Sequence, residues 1–169
     1  MAIWAIIAGV GLVVIDQILK AWAYNSLSLD ATISVIPNFF SLTYVENAGA
    51  AWGMFKGATW FLVLMPVVVI VLAIAYLIYK KVNKGLLLWA ATLIISGGVG
   101  NLIDRVNLFG RNPLLIENER FVIDYIQVHL FDFPVFNFAD CCVTIGAVLL
   151  FVYVIFFEGK KEKSGESHV

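Results

Sequence analysis

Three features of the sequence predict an all-α polytopic membrane protein with four transmembrane helices and a small extracytoplasmic β-containing platform. Of 169 residues, 62% are hydrophobic and 14% charged, with a mean hydropathy of +0.93, a composition foreign to a soluble domain. The apolar residues gather into four tracts, each close to the roughly 20 residues that cross a hydrocarbon core of about 30 Å. The longer connections hold stretches in which β-branched and aromatic residues alternate partly with polar ones, the pattern of short strands.

The tracts run from about 3 to 24, 58 to 79, 86 to 103 and 138 to 157, leaving outer loops at 25–57 and 104–137 and a charged tail at 158–169. Together they are expected to form one membrane-embedded domain over residues 1–169. Each tract should be a helix, because only helices and closed barrels satisfy their backbone groups in lipid. Ala21-Trp22-Ala23 resembles a signal-peptide cleavage site, yet no positive residue precedes the first tract and Asp16 and Lys20 interrupt it. It therefore reads as a retained helix. In the first outer loop, TISVIPNFFSLTYV (32–45) reads as strands broken at Pro37-Asn38, and Trp52, Met54 and Phe55 suit a segment resting on the membrane surface. In the second loop, FVIDYIQV (121–128) reads as another strand.

Basic residues near helix ends concentrate on the cytoplasmic side. Lys80, Lys81 and Lys84 sit in one short turn and Lys160, Lys161 and Lys163 in the tail, against Lys56, Arg105, Arg111 and Arg120 in the long connections. Both termini are thus expected inside. That topology brings Asp16 and Lys20 on the first helix, Asn101, Asp104 and Arg105 on the third, and Asn137 and Asp140 at the start of the fourth to one outer level, with Asp124 in the loop beside them. Asp16 with Lys20 and Asn101 with Arg105 are four apart, and Asn137 with Asp140 three apart, so each pair shares a helix face.

The plain reading of such groups is structural: a neutralising Asp16–Lys20 pair, and asparagines as interhelical hydrogen-bond glue. It is weakest for Asp140, which opens an apolar tract and has no cation within a turn on its own helix. Asp124 and Asp140, brought together where water is scarce, could not both ionise cheaply and would share a proton. One could then take a proton from an attacking water while the other hydrogen-bonds the scissile carbonyl. No metal or cofactor is called for: the two histidines lie far apart, no metal-ligand spacing is present, and Cys141 and Cys142 are adjacent, where a disulfide would be strained. A net charge of −1 gives no sign of a nucleic-acid partner.

Five motifs in order, DQILK (16–20), ENAGAAWG (46–53), GGVGNLIDR (97–105), VIDY (122–125) and FNFAD (136–140), laid over four apolar tracts, resemble the bacterial lipoprotein signal peptidases, also called signal peptidase II. The resemblance implies an aspartic endopeptidase of the bacterial cytoplasmic membrane, with its active site at the outer face. Its substrates would be diacylglyceryl-modified prolipoproteins, cut before the lipidated cysteine, with membrane lipids around them. It also implies Asp124 and Asp140 as the catalytic pair, with Asp16, Lys20, Asn47, Asn101, Arg105 and Asn137 supporting the pair or the substrate. Gly49 and Ala50 would let a bound chain come close to the backbone. Two departures stand out. Tyr125 follows the first aspartate where the family has phenylalanine. Nineteen residues separate Asp104 from Asp124, more than is usual in the family, so RNPLLIENER (111–120) looks like an insertion.

Other classes remain open at this point. Intramembrane carboxylates also mark ion- or proton-coupled transporters, although here they cluster at one level and no repeat suggests alternating access. A scaffold held by polar glue would leave Asp124 without a purpose. A serine–lysine peptidase using Ser41 or Ser96 with Lys20 lacks any motif around the serines, and Cys141 and Cys142 read most simply as packing.

Overall fold

The computed structural model describes residues 2–27, 32–50, 54–111, 120–130 and 132–158. Trp52, most of the insertion-like stretch and nearly all of the charged tail lie outside them. In chain order come α1 (Ala2–Ser26), β1 (Ile33–Ile36), β2 (Phe40–Asn47), α2 (Thr59–Tyr79), α3 (Leu86–Arg105), β3 (Val122–Val128) and α4 (Phe138–Tyr153), which runs on into a π-helical turn over Val154–Glu158. All four helices are long and apolar enough to cross a membrane. Their outward surface is apolar as a bilayer demands: along α2 only Leu62 is buried, and most of the large apolar side chains of that helix are exposed.

Close packing of α3 against α4 rests on small residues. A Cβ on Gly97 would lie 2.3 Å from the carbonyl oxygen of Ala139, so the two backbones meet where no larger residue fits. Helix ends differ slightly from the expected ones, α1 running to Ser26, two residues past 24. α3 runs to Arg105, beyond the expected end at 103, because Asp104 and Arg105 are buried among partners and do not reach toward solvent. Both therefore belong to the helix and not to the loop.

The small sheet has the order β1-β2-β3, antiparallel throughout. The chain reverses between β1 and β2 at Pro37-Asn38, where Asn38 takes a left-handed φ of 58° and Phe39 N–H closes the turn on Ile36 O at 3.1 Å. Tyr44, Ile123 and Tyr125 from the sheet pack on Ala23 and Leu27 at the end of α1, which roots the platform on the bundle. Register then places the polar groups. Val45 pairs with Asp124 and Asn47 with Val122, so Asn47 and Asp124 are diagonal neighbours on one face, within reach of each other.

Candidate active site

The first turn of α4 carries Asp140, and every backbone N–H there that lacks a helical partner is taken by a side chain. Asn137 is the N-cap: its side chain accepts from Asp140 N–H at 3.0 Å, while Asp140 Oδ2 accepts from Asn137 N–H at 3.0 Å, a complete capping box. Ala139 N–H donates to Asp16 Oδ1 at 3.0 Å and Phe138 N–H to the Tyr125 hydroxyl at 3.3 Å. A carboxylate is favoured at a helix N-terminus in any case. Its place beside a buried asparagine is thus fixed from α1, β3 and its own helix at once.

Asp124 faces this turn from β3, 2% exposed. Asn47 Nδ2 donates to its Oδ2 at 2.8 Å and Asn137 Nδ2 to its Oδ1 at 2.7 Å. Asn137 Nδ2 also donates to Asn101 Oδ1 at 3.1 Å, and Asn101 Nδ2 donates to Asp140 Oδ1 at 2.8 Å. The two carboxylates are therefore joined through Asn137 and Asn101, and among the described residues neither forms an ion pair. Burial first, and then the charge of Asp140, push the Asp124 carboxyl up to about 7, against the hydrogen bonds from Asn47 and Asn137. Near neutral pH, Asp124 can hold a proton.

Behind Asn101 lies a cluster of full charges. Lys20, 0% exposed, is 3.0 Å from Asp16 Oδ2 and 2.9 Å from Asp104 Oδ2 and donates to Asn101 Oδ1 at 2.8 Å. An ammonium can only donate, so it fixes which end of the Asn101 amide faces it and turns the NH₂ toward Asp140. Gly100 permits the approach: a Cβ there would lie 2.6 Å from Asp16 Oδ2.

Asp124 and Asp140 border a cavity of about 470 Å³ that Asn47, Gly49, Asn101 and Arg105 also line, with Phe61, Leu62, Met65 and Val143 giving it an apolar wall. Arg105 Nη2 donates to Gly49 O, while its Nη1 is buried with no hydrogen-bond partner among the described residues. No group of three His, Cys, Asp or Glu among the described residues could hold a metal ion. What the site offers is a carboxyl able to keep a proton, a second carboxylate beside it, and an apolar trough leading to both.

Two solved structures share this architecture. Both are described as bacterial membrane enzymes determined by the in meso method. One, at 2.3 Å resolution, aligns with a TM-score of 0.76 at 28% identity over 98% of this chain and 92% of its own. The other, at 1.9 Å, aligns with a TM-score of 0.73 at 29% identity over 90% and 93%. In sequence, residues 8–156 match the family described as Signal peptidase (SPase) II. The chain belongs to the signal peptidase II family. It is 39% identical to a Clostridium tetani protein named lipoprotein signal peptidase over 89% of this chain and 92% of that one. A protein of the same name from Streptococcus thermophilus is 40% identical over 97% and 95%, and one from Clostridioides difficile 41% over 88% and 93%. As a family member the chain is a peptidase, and its four apolar helices suit a bacterial inner membrane. The transporter reading finds no favour in this membership.

The structure gathers all the residues singled out in the sequence: Asp124, Asp140, Asn47, Asn101 and Asn137 in the amide-linked pair, Gly49 and Arg105 on the cavity wall, and Asp16 and Lys20 behind. Three contributors were missed. Asp104 was placed at the right level but given no role; it is the second carboxylate on Lys20. Gln17 donates to Asp16 Oδ2 and to Gly100 O, both at 3.0 Å, and its position within DQILK was the available signal. Arg111 reaches Gln17 and Asp104, and nothing in its local sequence points there.

Proposed function

We propose that this protein is an aspartic endopeptidase that removes signal peptides from diacylglyceryl-modified prolipoproteins, with Asp124 and Asp140 as the catalytic pair. The observation that carries the reading is the pair itself: a buried and a half-buried carboxyl linked through asparagine amides, without an ion pair among the described residues, at the edge of an apolar-walled cavity. Asp124, carboxyl held near 7, is the protonated partner. Its O–H hydrogen-bonds the scissile carbonyl. Asp140 takes one proton from water as the water oxygen attacks the carbonyl carbon, and Asp124 passes its proton to the carbonyl oxygen, giving a tetrahedral diol. Asp140 then returns that proton to the leaving nitrogen as the C–N bond breaks, and the diol proton goes back to the pair.

Support for the substrate class comes from the named relatives, and the apolar wall suits a signal helix that arrives within the bilayer. Arg105 Nη1, buried at the cavity and without a hydrogen-bond partner among the described residues, is the group we assign to a substrate carbonyl, with Gly49 leaving space beside it. The scissile bond precedes the lipidated cysteine, whose acyl chains stay in the outer leaflet. This orientation puts both termini in the cytoplasm and the site at the outer face, in keeping with the lysines of the turn after α2 and of the tail.

The test is a gel-shift cleavage assay with purified protein in detergent and a diacylglyceryl-modified prolipoprotein. Asp124→Asn and Asp140→Asn are each expected to lose at least about 1,000-fold in rate while inserting and folding as the parent does. Cleavage at near-parent rate by either variant would remove that aspartate from the pair.

A further inference from the structure

Arg111 opens the stretch that reads in the sequence as an insertion, yet its side chain is only 12% exposed. Its Nη2 donates to Gln17 Oε1 and lies 3.5 Å from Asp104 Oδ1, and its guanidinium sits 5.2 Å from the centre of the Phe109 ring. We infer that Arg111 is a positioning residue for the reaction proposed above, closing the buried ion cluster so that Lys20 stays on Asn101. The inference rests on the two-aspartate reading, because it acts through Asn101 on Asp140.

The argument starts from charge. Among the described residues, Asp16 and Asp104 bring two buried carboxylates to the ion-paired cluster, and Lys20 and Arg111 bring the two cations that contact them. An uncompensated buried charge is costly, so the cluster without Arg111 must relax. Lys20 has three protons and three close acceptors, Asp104 at 2.9 Å, Asp16 at 3.0 Å and Asn101 at 2.8 Å. When carboxylate charge is in excess, the neutral acceptor is the one released. Asn101 then loses the donor that fixes its amide, and its oxygen can turn toward the Asp140 carboxylate.

A second route runs through Gln17. Arginine only donates, so it holds the Gln17 carbonyl and turns the Gln17 NH₂ to Asp16 and Gly100 O, both at 3.0 Å. Asp16 in turn holds Ala139 N–H in the first turn of α4. Both routes end on the helix turn that carries Asp140.

Steady-state cleavage of the diacylglyceryl-modified prolipoprotein by full-length protein in detergent tests this, across pH, for the parent, Arg111→Ala, Arg111→Lys and Asp140→Asn. Arg111→Ala is expected to lower kcat about tenfold with KM within about twofold, and Arg111→Lys to recover most of kcat by restoring the cation. The alkaline limb of the kcat profile is set by Asp124, which faces Asn47 on β2, Asn101 and Arg105 on α3, Lys20 on α1, and Asn137 and Asp140 at the start of α4. It should move to higher pH in Arg111→Ala as Lys20 shifts away. A kcat within twofold of the parent, a change in KM alone, an unmoved alkaline limb, or a lysine variant as slow as alanine would each overturn the inference. Should Arg111→Ala not fold, Arg111→Gln carries the same expectations. Full activity in Asp140→Asn would instead dismiss the two-aspartate reading, and this inference with it.

Discussion

Two pairs of carboxylates lie side by side in this protein and are held in opposite ways. Asp16 and Asp104 sit on the ammonium of Lys20. Among the described residues, Asp124 and Asp140 receive only neutral amide and backbone donors, from Asn47, Asn101 and Asn137. An ion pair favours the charged form of a carboxylate and ties its position to its partner. Amide donors hold the position of a carboxyl without committing its proton. Asn101 belongs to both regions, since its oxygen takes the charge of Lys20 and its NH₂ passes the orientation to Asp140. The comparison therefore separates a region built to stay fixed from one built to exchange a proton.

Breaking the ionic region should have the largest effect on stability. Lys20→Met would leave Asp16 and Asp104 buried without their shared cation, which costs about 3–5 kcal/mol and removes the charged donor from Asn101. Thermal unfolding in detergent should show the loss, and cleavage should fall with it. Adding Asp104→Asn should return part of the stability by reducing the excess charge. If Lys20→Met melted as the parent does, the contrast between the two regions would be wrong.

The proton-exchanging region should answer to pH instead. Burial and Asp140 raise the Asp124 carboxyl from the usual carboxylate range to about 7, so its ionised form is the one disfavoured by folding. The stability this residue contributes is fully present below about pH 4 and is lost as pH rises through about 7, up to a few kcal/mol in all. Parent protein should thus melt lower at pH 8 than at pH 5. Asp124→Asn should be inactive and should lack that part of the pH dependence. Cleavage by the parent should decline as pH rises past about 7 and Asp124 loses its proton. A parent melting curve indifferent to pH over this range would place the proton elsewhere.

Much of this was legible in the sequence, for reasons that differ by region. The four helices were readable because lipid leaves so few options for twenty apolar residues in a row. The strands were readable from alternation and from Pro37-Asn38, which the structure turns into a tight reversal. Asp16 with Lys20 and Asn137 with Asp140 followed from helical spacing, although the second pair proved to be a capping box in which only Asp140 is in the helix. What spacing could not give was contact across the fold. The bonds from Asp16 to Ala139 and from Arg111 to Gln17 join residues far apart in the chain, and no local pattern encodes them. The resemblance to a known family named the aspartates. It could not say that Tyr125, where that family has phenylalanine, would cap the helix bearing one of them.

That hydroxyl gives the smallest and most discriminating test. Tyr125→Phe removes one acceptor, for Phe138 N–H at 3.3 Å, and leaves the bonds to Ala139 N–H, Asp140 N–H and Asn137 N–H in place. One lost hydrogen bond of this length should cost about 1 kcal/mol or less, visible as a small drop in melting temperature, with kcat within about twofold of the parent. Such a result would show that Asp140 is held by redundant anchors. A tenfold loss of kcat would instead mean that the first N–H of α4 governs where Asp140 points, and that the amide-held region tolerates less movement than the ionic one beside it.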